Sequence, residues 1–384
     1  MEMRNRLLTN SVAAGSCVLA TVMLPVQSGF ARFDSQAEYA VAYQINPAHS
    51  GYINFSAGFN TPLTQIWSVN LDTALSYPVI AEGKVFVIGS SGTTYALDLK
   101  TGATKWSQFT GFGLGPAYDH GSVFLVSPEA LLSAWSAKSG KSLWTTQLPQ
   151  ESYASSAPMA YNGQVFAVAT ENAGIIYSVN ETSGFINWYY AYVQNGDDSS
   201  PAYGDDGIYV SYPQQYYKFN PTNGDLDWNS GKGGNGGGGN TPVYYKKRVY
   251  IEDPGNGNYI LDAGTGNYMG VFGANNGDPP AFWQLSNGKS LGFSLYNGYL
   301  YGWKVSTDTN VWSFAGDGQL STPPIVINGL VVEGSGSGNV YVLDASTGTQ
   351  EWSANTGAAV TALGAGQGTL IVISGSIVTA YKPE

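Results

Sequence analysis

Charged residues are scarce in this chain. They make up 11% of its 384 residues, where an ordinary soluble protein carries about 25%. The 16 Lys and Arg are outnumbered by 27 Asp and Glu, the net charge is −11, and no basic block is present. A nucleic-acid footprint is thereby excluded. Cysteine is nearly absent, Cys17 being the only one. It falls in an apolar stretch from Val12 to Val26 that follows Arg4 and Arg6 and precedes Gly29 and Ala31. That layout reads as a cleavable export signal over residues 1–31. A chain cut after Ala31 has no cysteine, which excludes disulfides, thiol catalysis and Cys-ligated metal. The other reading of Cys17 is a lipid anchor behind Ala14-Gly15-Ser16, but that box lacks the usual Leu and would leave Val18-Leu19-Ala20 as a greasy mature start. The apolar stretch is shorter than the roughly 20 residues of a spanning helix, and no other segment of the sequence could span. Histidine is limited to His49 and His120, too few for a histidine-based triad or a zinc site of the usual kind.

Glycine and aromatic residues stand in their place. The chain has 50 Gly and 27 Tyr, with 14% aromatic and 43% hydrophobic residues, ample for a core and incompatible with a disordered chain. This composition points to many short strands joined by tight turns.

A repeat organises them. Asp98, Ser136, Asn180, Asn220, Asp262, Lys304 and Asp344 each open a turn, at spacings of 38, 44, 40, 42, 42 and 40 residues. Four residues on stands Gly102, Gly140, Gly184, Gly224, Gly266 or Gly348, with Asp308 breaking the series. Eight residues on stands Trp106, Trp144, Trp188, Trp228, Trp312 or Trp352, with Gly270 as the exception. An Asp, Asn or Ser accepts from backbone N–H groups two and three residues on, and Gly supplies the positive φ that closes the turn. The Trp then begins the next strand and buries its ring against the neighbouring unit. A second hairpin precedes each turn, headed by Pro78, Pro116, Pro158, Pro201, Pro242, Pro280 or Pro323. Four short strands repeated at about 40 to 45 residues make a propeller blade.

The repeat predicts an all-β, eight-bladed propeller of four-stranded antiparallel blades. The C-terminus supplies three strands, over 360–363, 370–373 and 377–381, and ends before a Trp strand. The missing strand is Gln65 to Val69, with Trp67, so the ring closes by pairing an N-terminal strand with the C-terminal blade. Closure removes exposed edges. The expected organisation is an export signal over 1–31, an N-terminal lead-in over 32–64 and the propeller over 65–384. The seven tryptophans, Trp67 included, and the six turn glycines are read as structural docking residues.

The pattern met in full by Ala96, Asp98, Thr101, Gly102 and Trp106 resembles the tryptophan-docking motif of pyrroloquinoline quinone (PQQ) repeat propellers. Ala134, Ser136, Ser139, Gly140 and Trp144 match it more loosely, as do Asp344, Thr347, Gly348 and Trp352. Asn46 to Tyr52 is similar to the short stretch that precedes the first strand in that family. The resemblance covers residues from about 44 to 384 and is specific for fold rather than activity. It implies one of two classes: quinoprotein dehydrogenases holding PQQ and Ca²⁺ over the central channel, or cofactor-free scaffolds such as the lipoprotein of outer-membrane barrel assembly. The chain lacks the vicinal cysteines often found in the enzymes, and about 44 residues per blade leave little for a deep site. The expectation is therefore a non-catalytic scaffold with no cofactor, exported to the periplasm, envelope or exterior. It would be monomeric and would bind other envelope or extracellular proteins. The alternatives are a PQQ- and calcium-dependent dehydrogenase of alcohols or sugars and a carbohydrate-binding surface propeller.

No catalytic, cofactor-binding or metal residue is expected on that reading. The acids between each Trp and the following Pro converge on one rim, and carboxylate oxygens there suit Ca²⁺. They are Asp72, Glu151, Asp197, Asp198, Asp278 and Asp317. Asp197, Asp198, Asp278 and Asp317 are the rim candidates, with solvated loop acids as the plainer account. His120 is expected at an exposed turn, and His49 as a tether of the lead-in. The Gly-rich run over 231–240 lacks a phosphate-loop ending and leads into a strand. Lys246, Lys247 and Arg248 read as a solvated hairpin tip.

Overall fold

The structure, a computed structural model, describes residues 38–71, 73–150, 153–154, 156–170, 174–191, 193, 199–212, 214–231, 240–253, 257–273 and 277–384. The expected export signal and Cys17 lie outside the described residues.

Eight antiparallel sheets form an eight-bladed propeller. Blade 1 consists of Val79–Ala81, Lys84–Ile88, Thr93–Asp98 and Thr104–Phe109, paired in that order. Blades 2 to 7 repeat the order, their first strands being Ala117–Asp119, Met159–Tyr161, Ala202–Gly204, Val243–Tyr245, Ala281–Gln284 and Ile325–Ile327. Blade 8 takes Ala362–Gly366, Thr369–Ser374 and Ile377–Pro383 from the C-terminus, and Leu63–Asn70 as its outer strand, with Trp67 opposite Ala380. The ring thus closes by the pairing that the repeat arithmetic predicts.

The hairpin turns follow from local chemistry. Asp98 Oδ1 accepts from the amides of Lys100 at 3.0 Å and Thr101 at 2.9 Å, and Gly102, at φ +73°, donates to the Asp98 carbonyl at 2.8 Å. The turn between the first two strands of a blade places two residues at positive φ, as at Glu82-Gly83 and His120-Gly121, which is what a two-residue hairpin with right-handed twist requires.

Blades dock through one repeated contact. The Trp ring of one blade lies on the turn glycine of the next, and its indole N–H donates to the carbonyl just after the turn opener. Trp67 donates to Leu99, Trp106 to Ala137, Trp144 to Glu181, Trp188 to Pro221, Trp228 to Ala263 and Trp312 to Ala345, at 2.8–3.1 Å. Glycine is required there by space as well as by φ: a Cβ on Gly140 would stand 2.7 Å from the Trp106 ring. The contact is missing between blades 7 and 8, where Trp352 meets the Tyr381 ring at 5.2 Å instead, and between blades 5 and 6, where the Trp slot holds Gly270. There the fully buried Trp303 of blade 6 packs among Tyr250, Ile260 and Phe272 of blade 5.

The segment from Glu38 to Ile53 lines the inside of the ring. Ala40 pairs with Ile80, the Tyr118 amide donates to Val41, Tyr203 to Pro47, Tyr244 to Ala48, Phe282 to Ser50 and Val326 to Gly51. Tyr52–Ile53 then adds a parallel fifth strand to blade 7. The free inner edges of six blades are satisfied by this one stretch. His49 is fully buried within it, Nδ1 lying 2.7 Å from the Tyr43 carbonyl and Nε2 2.9 Å from that of Pro201. Among the described residues no helix is long and apolar enough to cross a membrane.

Candidate functional site

Strand alternation gives the ring two different rims. Turns between the first and second strands, and between the third and fourth, lie on one side, here the turn rim. Connections between blades, and between second and third strands, lie on the other, the loop rim. Among the described residues, each rim carries a cluster of ionisable side chains.

At the loop rim three acids come from successive blades. Glu252 is the penultimate residue of the second strand of blade 5, Arg248–Asp253, and Glu333 that of blade 7, Leu330–Gly334. Asp278 lies in the connection leading to blade 6. Arg248 pairs with Asp262 and Leu330 with Asp344, which are equivalent turn openers. Glu252 and Glu333 are therefore one residue out of step along their strands. Alternation points them to opposite faces of their blades, so both face blade 6 between them. Glu252 is 4% exposed and Glu333 is fully buried. Neither Glu252 carboxylate oxygen has a hydrogen-bond partner, nor has Glu333 Oε2. Glu333 Oε1 accepts from the Thr322 hydroxyl at 3.1 Å. Burial, and then the nearby Asp278, hold both glutamates well above the usual carboxylate range, and burial raises Asp278 to about 6. Tyr43 of the lining segment is pushed up by burial and by the charges of Asp278 and Glu252, which places the cluster beside that segment.

At the turn rim Asp119, His120 and Glu181 meet. His120 Nδ1 stands 3.2 Å from Asp119 Oδ1 and 3.2 Å from Glu181 Oε2, and the three ligand atoms lie within 4.8 Å of one another. The Glu181 hydrogen bond and the Asp119 charge raise the His120 pKa, and burial followed by Asp119 raises that of Glu181.

Of the rim candidates read from sequence, Asp278 joins the loop-rim cluster. Asp317 does not: it accepts from Ser335, Ser337 and Asn339 on blade 7, and although burial works the other way, these bonds hold it at about 2. Asp197 and Asp198 lie outside the described residues, as do Asp72, Glu151 and most of the Gly-rich run. Lys246 donates to Ser290 Oγ at 2.9 Å and Arg248 to the Val305 carbonyl at 3.1 Å, so two of the three basic side chains hold blade 6. Glu252 and Glu333 escape a search confined to the loops. Their signal was a carboxylate in a strand otherwise largely apolar: Glu333 stands where blades 1 to 5 have Val87, Leu125, Ala167, Val210 and Ile251 and blade 6 has Ser294.

A family model described as "Outer membrane protein assembly factor BamB" matches residues 64–111, 107–230 and 286–383, more than half of the chain. The dehydrogenase subunit of the quinone alcohol dehydrogenase of Gluconacetobacter polyoxogenes is 25% identical over 362 residues, covering 83% of this chain and 44% of that protein. The chain thus spans less than half the length of the curated relatives it first matches. Among solved structures, quinohemoprotein alcohol dehydrogenase from Comamonas testosteroni aligns with a TM-score of 0.74 at 14% identity, over 92% of this chain and 82% of that one. BamB from Moraxella catarrhalis aligns at 0.66 with 19% identity, over 84% of this chain and all of its own. Assembly factor and dehydrogenase share the fold.

Two expectations fall. The sequence reading assigned no enzymatic activity, yet the similarity to quinone alcohol dehydrogenases runs through most of the chain. It assigned no metal or cofactor, yet Asp119, His120 and Glu181 present three ligand atoms within reach of one ion. Both expectations leaned on missing cysteines and short loops. Neither bears on carboxylates buried in strands or on residues that only adjoining blades bring together.

Proposed function

The chain belongs to the PQQ-repeat β-propeller family, and on that premise we propose that it is a quinone-dependent dehydrogenase of alcohols or sugars. Its chemistry is proposed for the loop rim, where Asp278 lies within electrostatic reach of both Glu252 and Glu333. One observation carries this reading: buried carboxylate oxygens without partners on the two blades that flank blade 6. A buried charge without a counter-charge is costly, and an oxygen-only donor set suits a hard divalent cation such as Ca²⁺.

The residues fit a cation better than they fit a quinone alone. PQQ is itself an anion that three acids would repel, so positive charge must stand between them. Glu252, whose carboxylate is buried without a hydrogen-bond partner and acts on Asp278, would hold that ion. When bound, the quinone supplies a two-electron acceptor that no side chain of this protein can supply. Asp278, raised to about 6 by burial, is a base matched to neutral pH and would take the hydroxyl proton of the substrate. The lining segment, with Tyr43 beside these acids, keeps the inner wall of the site apolar and excludes water from it.

Titration of the purified protein with PQQ and Ca²⁺ tests the reading, following quinone absorbance and dye reduction with primary alcohols and sugars. Saturable binding and turnover are expected, both lost in Glu252→Gln/Glu333→Gln. Neither binding nor dye reduction at any calcium concentration would overturn it.

Similarity to an outer membrane protein assembly factor supports a place at the cell envelope, among other envelope proteins, in keeping with the export signal read from residues 1–31. Fractionation of the tagged protein checks that placement.

A further inference from the structure

Glu181 is out of place among its equivalents. The residue after the turn opener is Leu99, Ala137, Pro221, Ala263, Val305 and Ala345 in the other six complete blades. The shared task of the position is carried by backbone. Glu181 performs it as Leu99, Ala137, Ala263 and Ala345 do: its amide donates to Gly163 at 3.0 Å and its carbonyl accepts from Trp144 at 2.8 Å. Docking therefore makes no use of the carboxylate. That carboxylate is nonetheless buried, with Glu181 only 6% exposed, and a second acid, Asp119, reaches toward it from blade 2. Two negative groups face one imidazole.

Two of the three spacings match metal coordination, and the third lies within 4.8 Å. Bonds of about 2.0–2.1 Å at angles between octahedral and tetrahedral place neighbouring ligand atoms about 3.0–3.4 Å apart. His120 Nδ1 is 3.2 Å from Asp119 Oδ1 and 3.2 Å from Glu181 Oε2. Asp119 Oδ2 is buried without a hydrogen-bond partner, so this carboxylate keeps donor capacity in hand. The His120 side chain is 60% exposed, which leaves the outer side of the group open for water to complete the shell. The two-residue turn fixes the ring, with His120 at φ +39° and Gly121 at φ +82°. One imidazole nitrogen with two carboxylates favours a borderline transition ion over Ca²⁺, which takes six to eight oxygens.

We propose that Asp119, His120 and Glu181 bind a divalent transition-metal ion of the Zn²⁺ class, which clamps blade 2 to blade 3 at the turn rim. The site goes beyond the quinone chemistry proposed above and lies on the opposite rim from it. The ion replaces the apolar packing that this position provides between other blades.

The test uses the full chain stripped with chelator, with Zn²⁺ and Ca²⁺ as separate probes in calorimetric titration and thermal melting. Glu252→Gln/Glu333→Gln serves as background, so that loop-rim binding does not contribute. Saturable binding of one equivalent of Zn²⁺, with a raised melting temperature, is the expected result. His120→Asn, which suits the positive φ, and Glu181→Ala, which restores the residue of blades 2, 5 and 7, should each weaken Zn²⁺ binding at least about tenfold while remaining folded. Absence of Zn²⁺ binding, equal affinity in both variants, or Ca²⁺ binding as tightly as Zn²⁺ would each overturn the assignment.

Discussion

Gly270 and Asp308 are the two halves of a single docking position. At six of the eight junctions a Trp of one blade meets a turn glycine of the next. Between blades 5 and 6 the Trp slot is Gly270 and the glycine slot is Asp308, whose amide still donates to Lys304 at 2.8 Å as the turn glycines do to their openers. Both members of the pair are lost together. A Trp without a glycine opposite would clash, and a glycine without a Trp would leave a void. Trp303 fills the junction from the other blade, its ring 5.9 Å from Phe272 and 5.9 Å from Phe282.

Trp303 should therefore matter to stability as much as any docking Trp. Trp303→Ala is expected to cost about 3–5 kcal/mol in urea unfolding, comparable to Trp106→Ala. A cost below about 1 kcal/mol would show that the junction is held by other contacts.

Two glycines separate backbone strain from steric exclusion. Gly83 and Gly140 have nearly equal φ, +69° and +68°, but a Cβ on Gly83 meets nothing within 4 Å and one on Gly140 meets Trp106 at 2.7 Å. Gly83→Ala should cost about 1 kcal/mol, from strain alone. Gly140→Ala should cost clearly more, and chemical denaturation of the two variants gives the difference.

The pH dependence of stability has a definite sign at Asp278. Its carboxyl titrates about 6 in the folded chain against a usual 3.8, so folding favours the protonated form. The resulting penalty is absent below about pH 4 and grows until the pH passes 6. In chelator, Asp278→Asn should be more stable than the parent at pH 8 by about 2–3 kcal/mol, with the difference closing by pH 3.5. Melting curves across that range are the measurement. Glu252 and Glu333, also raised, carry the same sign.

Removal of residues 38–53 should weaken the ring while leaving every blade its four strands. Six backbone contacts to inner strands would be lost, at about 1 kcal/mol each. A chain beginning at Asn54 is expected to melt lower by many degrees and to associate through its bared inner edges, readable by light scattering.

Much of the architecture was legible because the repeat is written in residue types with a single local meaning: a turn opener, a glycine at positive φ, a Trp at a fixed offset. Blade count and ring closure followed from their spacing. Glu252 and Glu333 were not legible, because a carboxylate inside an apolar strand acquires its partners from two blades away, and only strand parity shows that both face blade 6. Asp119-His120 read as an ordinary hairpin tip for the same reason. Nothing near it in sequence announces Glu181, some 60 positions later, which the docking of blade 3 brings to it.

The strand Leu63–Asn70 is among the first parts of the propeller to be synthesised, and its partner Ile377–Pro383 is the last. A ribosome or a translocation pore delivers them at opposite ends of the process. Until the final residues emerge, the early strand has no mate, and the cost of bringing the two together grows with the length of chain between them. Seven blades can be assembled while the ring is still open. The ring therefore closes only once Ile377–Pro383 has emerged, and a deletion within that strand acts on the strand that was made first.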